Sequence, residues 1–230
     1  MNKPFSIALD GPSGAGKSSV AKRVAMELGF LYVDTGALYR AIGYEVLKRG
    51  GKPNDQAFVE DMLPEINIEL KHIDSSQRVF VNNEDVTELI RTPEVSMAAS
   101  AVSAIPAVRR FLFELQRETA RKNNVIMDGR DIGTVVLPDA DLKVFLTASA
   151  EERARRRYDE LIQKGIETSY EDVLADMKKR DYDDSHRETA PLKAADDAIF
   201  VDTTGHTLEQ SVITIKKLIE DMINPERHGS

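Results

Sequence analysis

Eight consecutive residues, Gly11-Pro12-Ser13-Gly14-Ala15-Gly16-Lys17-Ser18, carry the plainest chemistry in the chain. They fit G-x-x-x-x-G-K-[ST], a loop that cradles phosphates. Its glycines let the backbone turn until successive N–H groups point into one concavity, and the helix that follows adds its positive end. In such a loop Lys17 reaches the β- and γ-phosphates and Ser18 ligates Mg²⁺. The flanks agree with this reading. Phe5-Ser6-Ile7-Ala8-Leu9-Asp10 is short and apolar, as a buried strand is. Val20, Val24 and Leu28 recur at helical spacing, and Gly29 ends the run. The loop announces a bound nucleoside triphosphate, and other residues must say what is done with it.

Carboxylates and arginines supply the next candidates. Asp128 follows Val125-Ile126-Met127, the pattern of a strand-end carboxylate near a metal-bound phosphate. A strand ending in Asp is by itself usually structural. The neighbours Gly129-Arg130-Asp131 strengthen the functional reading, although an arginine between carboxylates also makes a structural ion pair. Arg40 lies one turn into a helix after Asp34-Thr35-Gly36, where an arginine can fork onto a phosphate. In isolation the solvated helix residue is the favoured reading. Arg153, Arg155, Arg156 and Arg157 form a dense cluster, and Arg180 and Arg187 follow with Asp181, Asp183 and Asp184 between them. One reading is a solvated, salt-bridged hairpin. The other, which we favour, is a lid that closes over the γ-phosphate and brings arginines to it. The four histidines, His72, His186, His206 and His228, show no ligand spacing, so no zinc site is expected.

The elements that would position these groups alternate. Strands are expected at Phe5–Asp10, Phe30–Val33, Val125–Asp128, Leu142–Leu146 and Ala198–Val201. Helices are expected at about 37–48, around Phe58 and Met62, from Pro93, from Pro106 to about Lys122, from Ser149 to Gly165, from Ser169 to about Lys179, and after Thr207. Ser149 with Glu152 and Thr207 with Gln210 read as capping boxes. The last helix turns Leu208, Val212, Ile215, Leu218 and Ile219 inward. Residues 63–91 break the pattern with period-two alternation, turns at Asp74-Ser75-Ser76 and Asn82-Asn83-Glu84-Asp85, and a short Val86-Thr87 segment, which reads as an antiparallel insert. The fold class is α/β: a five-stranded parallel sheet doubly wound by helices, with the small β insert and a helical lid. Ligands then collect at the carboxyl ends of the strands, where Asp10-Gly11, Asp34-Thr35, Asp128–Asp131, Thr147 and Asp202 stand.

Composition narrows the classes. A chain of 230 residues with 41% hydrophobic content can bury a core. A net charge of −8 argues against a general nucleic-acid binder. The chain has no cysteines, and no apolar run reaches the length of a membrane span. These features suit a cytoplasmic protein.

Taken together, the loop at 11–18, Asp34-Thr35-Gly36-Ala37-Leu38-Tyr39-Arg40, Asp128-Gly129-Arg130-Asp131-Ile132-Gly133-Thr134-Val135-Val136 and the Arg180…Arg187…Ala190-Pro191-Leu192 segment resemble the bacterial cytidylate kinases. Ile90–Val95 and Ala98-Ala99-Ser100 fit as well, and the match covers about residues 5–222. The resemblance implies a nucleoside monophosphate kinase core that passes the γ-phosphate of ATP to CMP or dCMP with Mg²⁺. It implies a core at 1–36, 92–148 and 190–224, a CMP-binding subdomain at 37–91 holding the insert, a lid at 149–189 and a tail at 225–230. Gly11, Pro12, Ser13, Gly14, Ala15, Gly16, Lys17, Ser18, Ser19 and Arg157 are the expected ATP contacts. Thr35, Arg40, Ser100, Arg109, Arg130, Asp131, Arg180, Asp184 and Arg187 are the expected acceptor contacts. Arg40 and Arg130 would take the CMP phosphate and Ser100, Arg109 and Asp131 the base. Lys17, Asp128, Arg130, Arg180 and Arg187 form the expected catalytic set, with Ser18 on the metal. The expected partners are CMP and dCMP, with a monomeric state and no membrane or general nucleic-acid binding. Two alternatives stand beside this: a kinase for another phosphorylated acceptor such as UMP, and a nucleotide-gated binding protein without catalysis. The chain lacks an Asn-Lys-x-Asp guanine-reading motif.

Overall fold

A computed structural model describes residues 3–73 and 76–224. In chain order the elements begin with β1 (Ser6–Asp10), α1 (Lys17–Leu28), β2 (Leu31–Asp34), α2 (Thr35–Lys48), α3 (Gln56–Met62), β3 (Ile68–Ile73), β4 (Ser76–Val81) and β5 (Glu84–Asp85). They continue with α4 (Pro93–Ser103), α5 (Pro106–Lys122), β6 (Val125–Gly129), β7 (Leu142–Thr147), α6 (Ala150–Gln163), α7 (Tyr170–His186), β8 (Ile199–Asp202) and α8 (Leu208–Ile223). A single π turn, Ile132–Val136, follows β6. The turn expected at Asp74-Ser75 and the tail at 225–230 lie outside the described residues.

The five-stranded sheet has the order β2-β6-β1-β7-β8. β1 pairs in parallel with β6 and β7, and β7 with β8. All five residues of β1 and of β6 are buried, as strands covered on both faces must be. Register sets Asp10 opposite Gly129 and Phe145, and Thr147 opposite Asp202, so polar strand ends gather along one edge of the sheet.

Contacts divide the chain into two units. One comprises the residues up to Leu31 and those from Asn123 onward, and the other comprises Tyr32–Lys122. In the first, α6 and α7 pair around a small core of their own, Ala154, Val173 and Met177, with Tyr158, Leu161, Tyr170 and Leu174 against it. In the second, Leu38, Ile42 and Val46 of α2, Val79 and Val81 of β4, and Val102, Val108 and Leu112 of α4 and α5 share one core. There α2 comes very close to α4 at Gly43, where a Cβ would stand 2.9 Å from the Ala99 nitrogen. Any side chain at Gly43 would push the two helices apart.

The local signals hold where short-range chemistry decides. Thr92 caps α4 ahead of Pro93, Asp55 caps α3, and Thr207 with Gln210 completes a capping box on α8. Four expectations change. Ser149 accepts the Glu152 N–H, but Ser149's own N–H goes to Thr204 Oγ1 and the Glu152 carboxylate goes to Arg156, so only half of that box forms. Helix α7 continues past Lys179 to His186, because ion pairs rather than an apolar stripe hold its second half. The hairpin turn sits on Asn82 and Asn83, both at positive φ (48° and 69°), and strand β5 is Glu84–Asp85 instead of Val86-Thr87. Leu208, expected inward, is 49% exposed at the first turn of α8.

Among the described residues no single helix is long and apolar enough to cross a membrane. The bent pair α4 and α5, which together approach that composition, lay Val102, Val108 and Leu112 into the core.

Candidate active site

The loop between β1 and α1 turns through positive φ at Gly11 (146°), Gly14 (75°) and Gly16 (90°). At two of these a side chain would also meet its neighbours. A Cβ on Gly11 would lie 1.9 Å from the Leu146 carbonyl oxygen, and one on Gly14 would press on Met177 and Arg153 at 3.1 and 3.2 Å. The loop is therefore seated on the end of β7 and on the α6–α7 hairpin. Lys17 folds back over it, with Nζ donating to the Pro12 carbonyl at 2.8 Å. Burial pulls the Lys17 pKa well below its usual value; the Arg130 charge adds to this, while Asp128 and Asp10 oppose it. The Arg180 charge lowers it further.

Ser18 Oγ donates to Asp128 Oδ2 at 2.6 Å, joining the first turn of α1 to the end of β6. Asp10, at the end of β1, was expected only as a polar strand end. Its two oxygens accept the N–H groups of Ile132 (2.8 Å) and Gly133 (2.7 Å) at the start of the π turn. Burial pushes its carboxyl up to about 6 against those hydrogen bonds.

The arginines divide by role. Arg130 Nε donates to Asp184 Oδ2 at 2.9 Å. Arg187 lies 3.9 Å from Asp131 through Nη2 and donates from Nε to the Ala190 carbonyl at 2.6 Å. Both pairs are buried or nearly so. Arg153 of α6 reaches the loop. It donates to the carbonyls of Ser13 (2.9 Å) and Ala148 (2.9 Å) and grips Asp181 of α7 with two nitrogens. It is an anchor between loop and hairpin, with its donors already committed. Arg156 bonds the Thr203 carbonyl at 2.9 Å. Arg157 bonds Glu160 one turn along and stands apart from these contacts at 35% side-chain exposure. The cluster that sequence treats as one group thus holds an anchor, a strut to the β8 end, a surface residue and, in Arg155, a guanidinium 4.5 Å from the Tyr170 ring centroid.

The remaining expected residues lie in the Tyr32–Lys122 unit. Asp34 caps α2 by accepting the Ala37 N–H (3.0 Å) with one oxygen and pairs with Arg40 Nη2 (2.7 Å) through the other. Thr35 opens the helix and is buried. Gln77 of β4 accepts the Asp34 N–H at 2.9 Å and donates to its carbonyl at 3.4 Å, so the insert grips the start of α2. Arg109 is 2% exposed, its guanidinium 5.7 Å from the ring centroids of Tyr39 and Phe113, and it donates to the Ser103 carbonyl. Ser100 is half-buried on α4.

A parallel sheet with a glycine loop, an inward lysine, a Ser–Asp pair and convergent arginines at its strand ends defines a P-loop phosphotransferase. The sequence profile described as cytidylate kinase matches residues 7–221. A cytidylate kinase of Caldicellulosiruptor bescii is 50% identical over 224 residues, covering 97% of this chain and 99% of that protein. One of Carboxydothermus hydrogenoformans is 51% identical over 213 residues, covering 93% and 96%. The chain belongs to the cytidylate kinase family. Among solved structures, an uncharacterized protein from Eubacterium ventriosum shares the fold at 16% identity with a TM-score of 0.55, over 95% of this chain and 99% of that one.

Proposed function

We propose that this kinase transfers the γ-phosphoryl group of ATP to CMP or dCMP, giving CDP or dCDP and ADP. The observation that carries the reading is the glycine loop with Lys17 folded over it and Ser18 bonded to Asp128, in a chain whose family is cytidylate kinase. The acceptor is itself a phosphate, anionic near neutral pH, so its attacking oxygen needs no strong base. It needs positioning and neutralisation of charge, which backbone N–H groups and buried cations supply. Lys17 exchanges the Pro12 carbonyl for the transferring phosphoryl. Arg130 and Arg187 exchange Asp184 and Asp131 for substrate oxygens, and Arg40 takes the acceptor phosphate.

Ser18 Oγ and Asp128 Oδ2 are hard oxygen donors side by side, and Mg²⁺ takes one or two protein oxygens with water and phosphate completing the octahedron. The donor set fits the ion, while among the described residues no group of three or more His, Cys, Asp or Glu builds an all-protein cage. When bound, Mg²⁺ neutralises the developing phosphate charge. The α6–α7 hairpin is the lid, and its closure excludes water from the phosphoryl group.

Cytosine presents an amino donor at N4 and an acceptor at N3, and uracil presents the reverse. A carboxylate such as Asp131 at N4 is left mispaired by UMP, at about 1–3 kcal/mol. A coupled ADP-release assay with CMP, dCMP, UMP, AMP and GMP tests this. CMP and dCMP should lead, and equal efficiency with UMP or AMP would overturn the cytidine reading.

A further inference from the structure

The π turn after β6 begins at Asp131, the residue type best suited to cap a turn with its own side chain. It does not do so: no cap bond runs from the Asp131 carboxylate. Asp10, more than 120 positions earlier in the chain, does the capping instead, one oxygen to Ile132 N–H and the other to Gly133 N–H. The Asp131 carboxylate is turned toward Arg187, 3.9 Å away. Asp10 is 4% exposed. The absence of a side chain at Gly133 lets the Asp10 carboxylate come close, since a Cβ there would stand 3.4 Å from Asp10 Oδ2.

We propose that Asp10 is a positioning residue that caps the π turn in place of Asp131, and so releases the Asp131 carboxylate to read the acceptor base. This rests on the reading of Asp131 as a base contact. One carboxylate, standing at the last position before the phosphate loop, thereby ties the loop's own strand to acceptor choice. The requirement is for two acceptor oxygens. An amide at position 10 keeps one and turns an NH₂ toward the other N–H, so the turn recruits the nearest remaining carboxylate, Asp131.

The test is a double-mutant cycle with Asp10→Asn and Asp131→Asn, reading KM for CMP, UMP and ATP and the melting midpoint of each variant. Asp10→Asn should raise KM for CMP about tenfold and erode the preference for CMP over UMP by a similar factor, with KM for ATP within about twofold. In the Asp131→Asn background the same change at position 10 should move KM for CMP by less than about twofold. An equal effect in both backgrounds, or a KM for ATP that rises in step, would show a merely structural role and overturn the proposal. Should Asp10→Asn not give folded protein, Asp10→Ser retains one acceptor and carries the same readouts. A wild type that uses UMP as well as CMP refutes the base-contact reading. A selective wild type whose Asp10→Asn variant keeps its KM for CMP refutes this proposal alone.

Discussion

The phosphate-loop unit and the Tyr32–Lys122 unit hold their charged groups by different means. In the first, short strands end together, and carboxylates at those ends hold N–H groups, a hydroxyl and arginines: Asp10 on the π turn, Asp128 on Ser18, Asp184 on Arg130. In the second, Thr35, Arg40, Ser100 and Arg109 stand on three helices, and an apolar core sets their spacing. Polar bonds there are local trims, such as Asp34 with Arg40 or the Arg109 guanidinium beside two rings. Damage to the first unit should fall on chemistry. Damage to the second should fall on acceptor affinity and on packing.

The largest effect should come from Lys17→Ala. Turnover should drop about 10³-fold, with the melting midpoint little changed, since the loop lies at a strand end instead of in the core. Unchanged turnover would break the comparison at its strongest point. Arg153→Ala should follow, because it leaves Asp181 unpaired and the Ser13 and Ala148 carbonyls without their donor. Breaking such a buried pair costs about 3 kcal/mol, visible in a denaturant titration, and KM for ATP should rise with it because the loop loses its seat. A stability loss without any change in KM would assign Arg153 to the hairpin alone. Gln77→Ala sharpens the other side: losing its grip on Asp34 should raise KM for CMP about fivefold and leave KM for ATP alone.

The smallest effect is a pair of opposite pH slopes. Asp10 has its folded pKa raised from 3.8 to about 6, so its protonation contributes stability that is full below 3.8 and lost as pH rises through 6. Asp85 in the insert, held by Thr87 and Arg78, is lowered from 3.8 to about 2, so its contribution is present above 3.8 and lost as pH falls toward 2. Melting curves from pH 7 to pH 2 should show Asp10→Asn flattening the upper window and Asp85→Asn the lower. Exchange of those two assignments would overturn the electrostatic contrast.

What the sequence makes legible is what short range determines. The glycine loop, the Thr92-Pro93 cap, the Thr207–Gln210 box and the five apolar strands each follow from neighbours within a few residues. What it hides are bonds between distant segments. Asp10 meets residues 122 and 123 positions away, Gln77 one 43 away and Arg153 one 28 away. An Asp directly before the first loop glycine was a visible cue for the first of these, but its partner N–H groups carry no side-chain signature. The second half of α7 was illegible for a related reason. Its Arg180–Asp184 stretch has no apolar stripe, and its helix is held by Arg153–Asp181 and Arg130–Asp184, which only the fold brings together.

The central claim is that the phosphoryl group goes to a second phosphate and not to water. The direct measurement is the fate of label from γ-labelled ATP with CMP present and absent. The account predicts label in the β-phosphate of CDP, one for each ADP formed, and little release without CMP. Label appearing mainly as inorganic phosphate, at a rate indifferent to CMP, would contradict it.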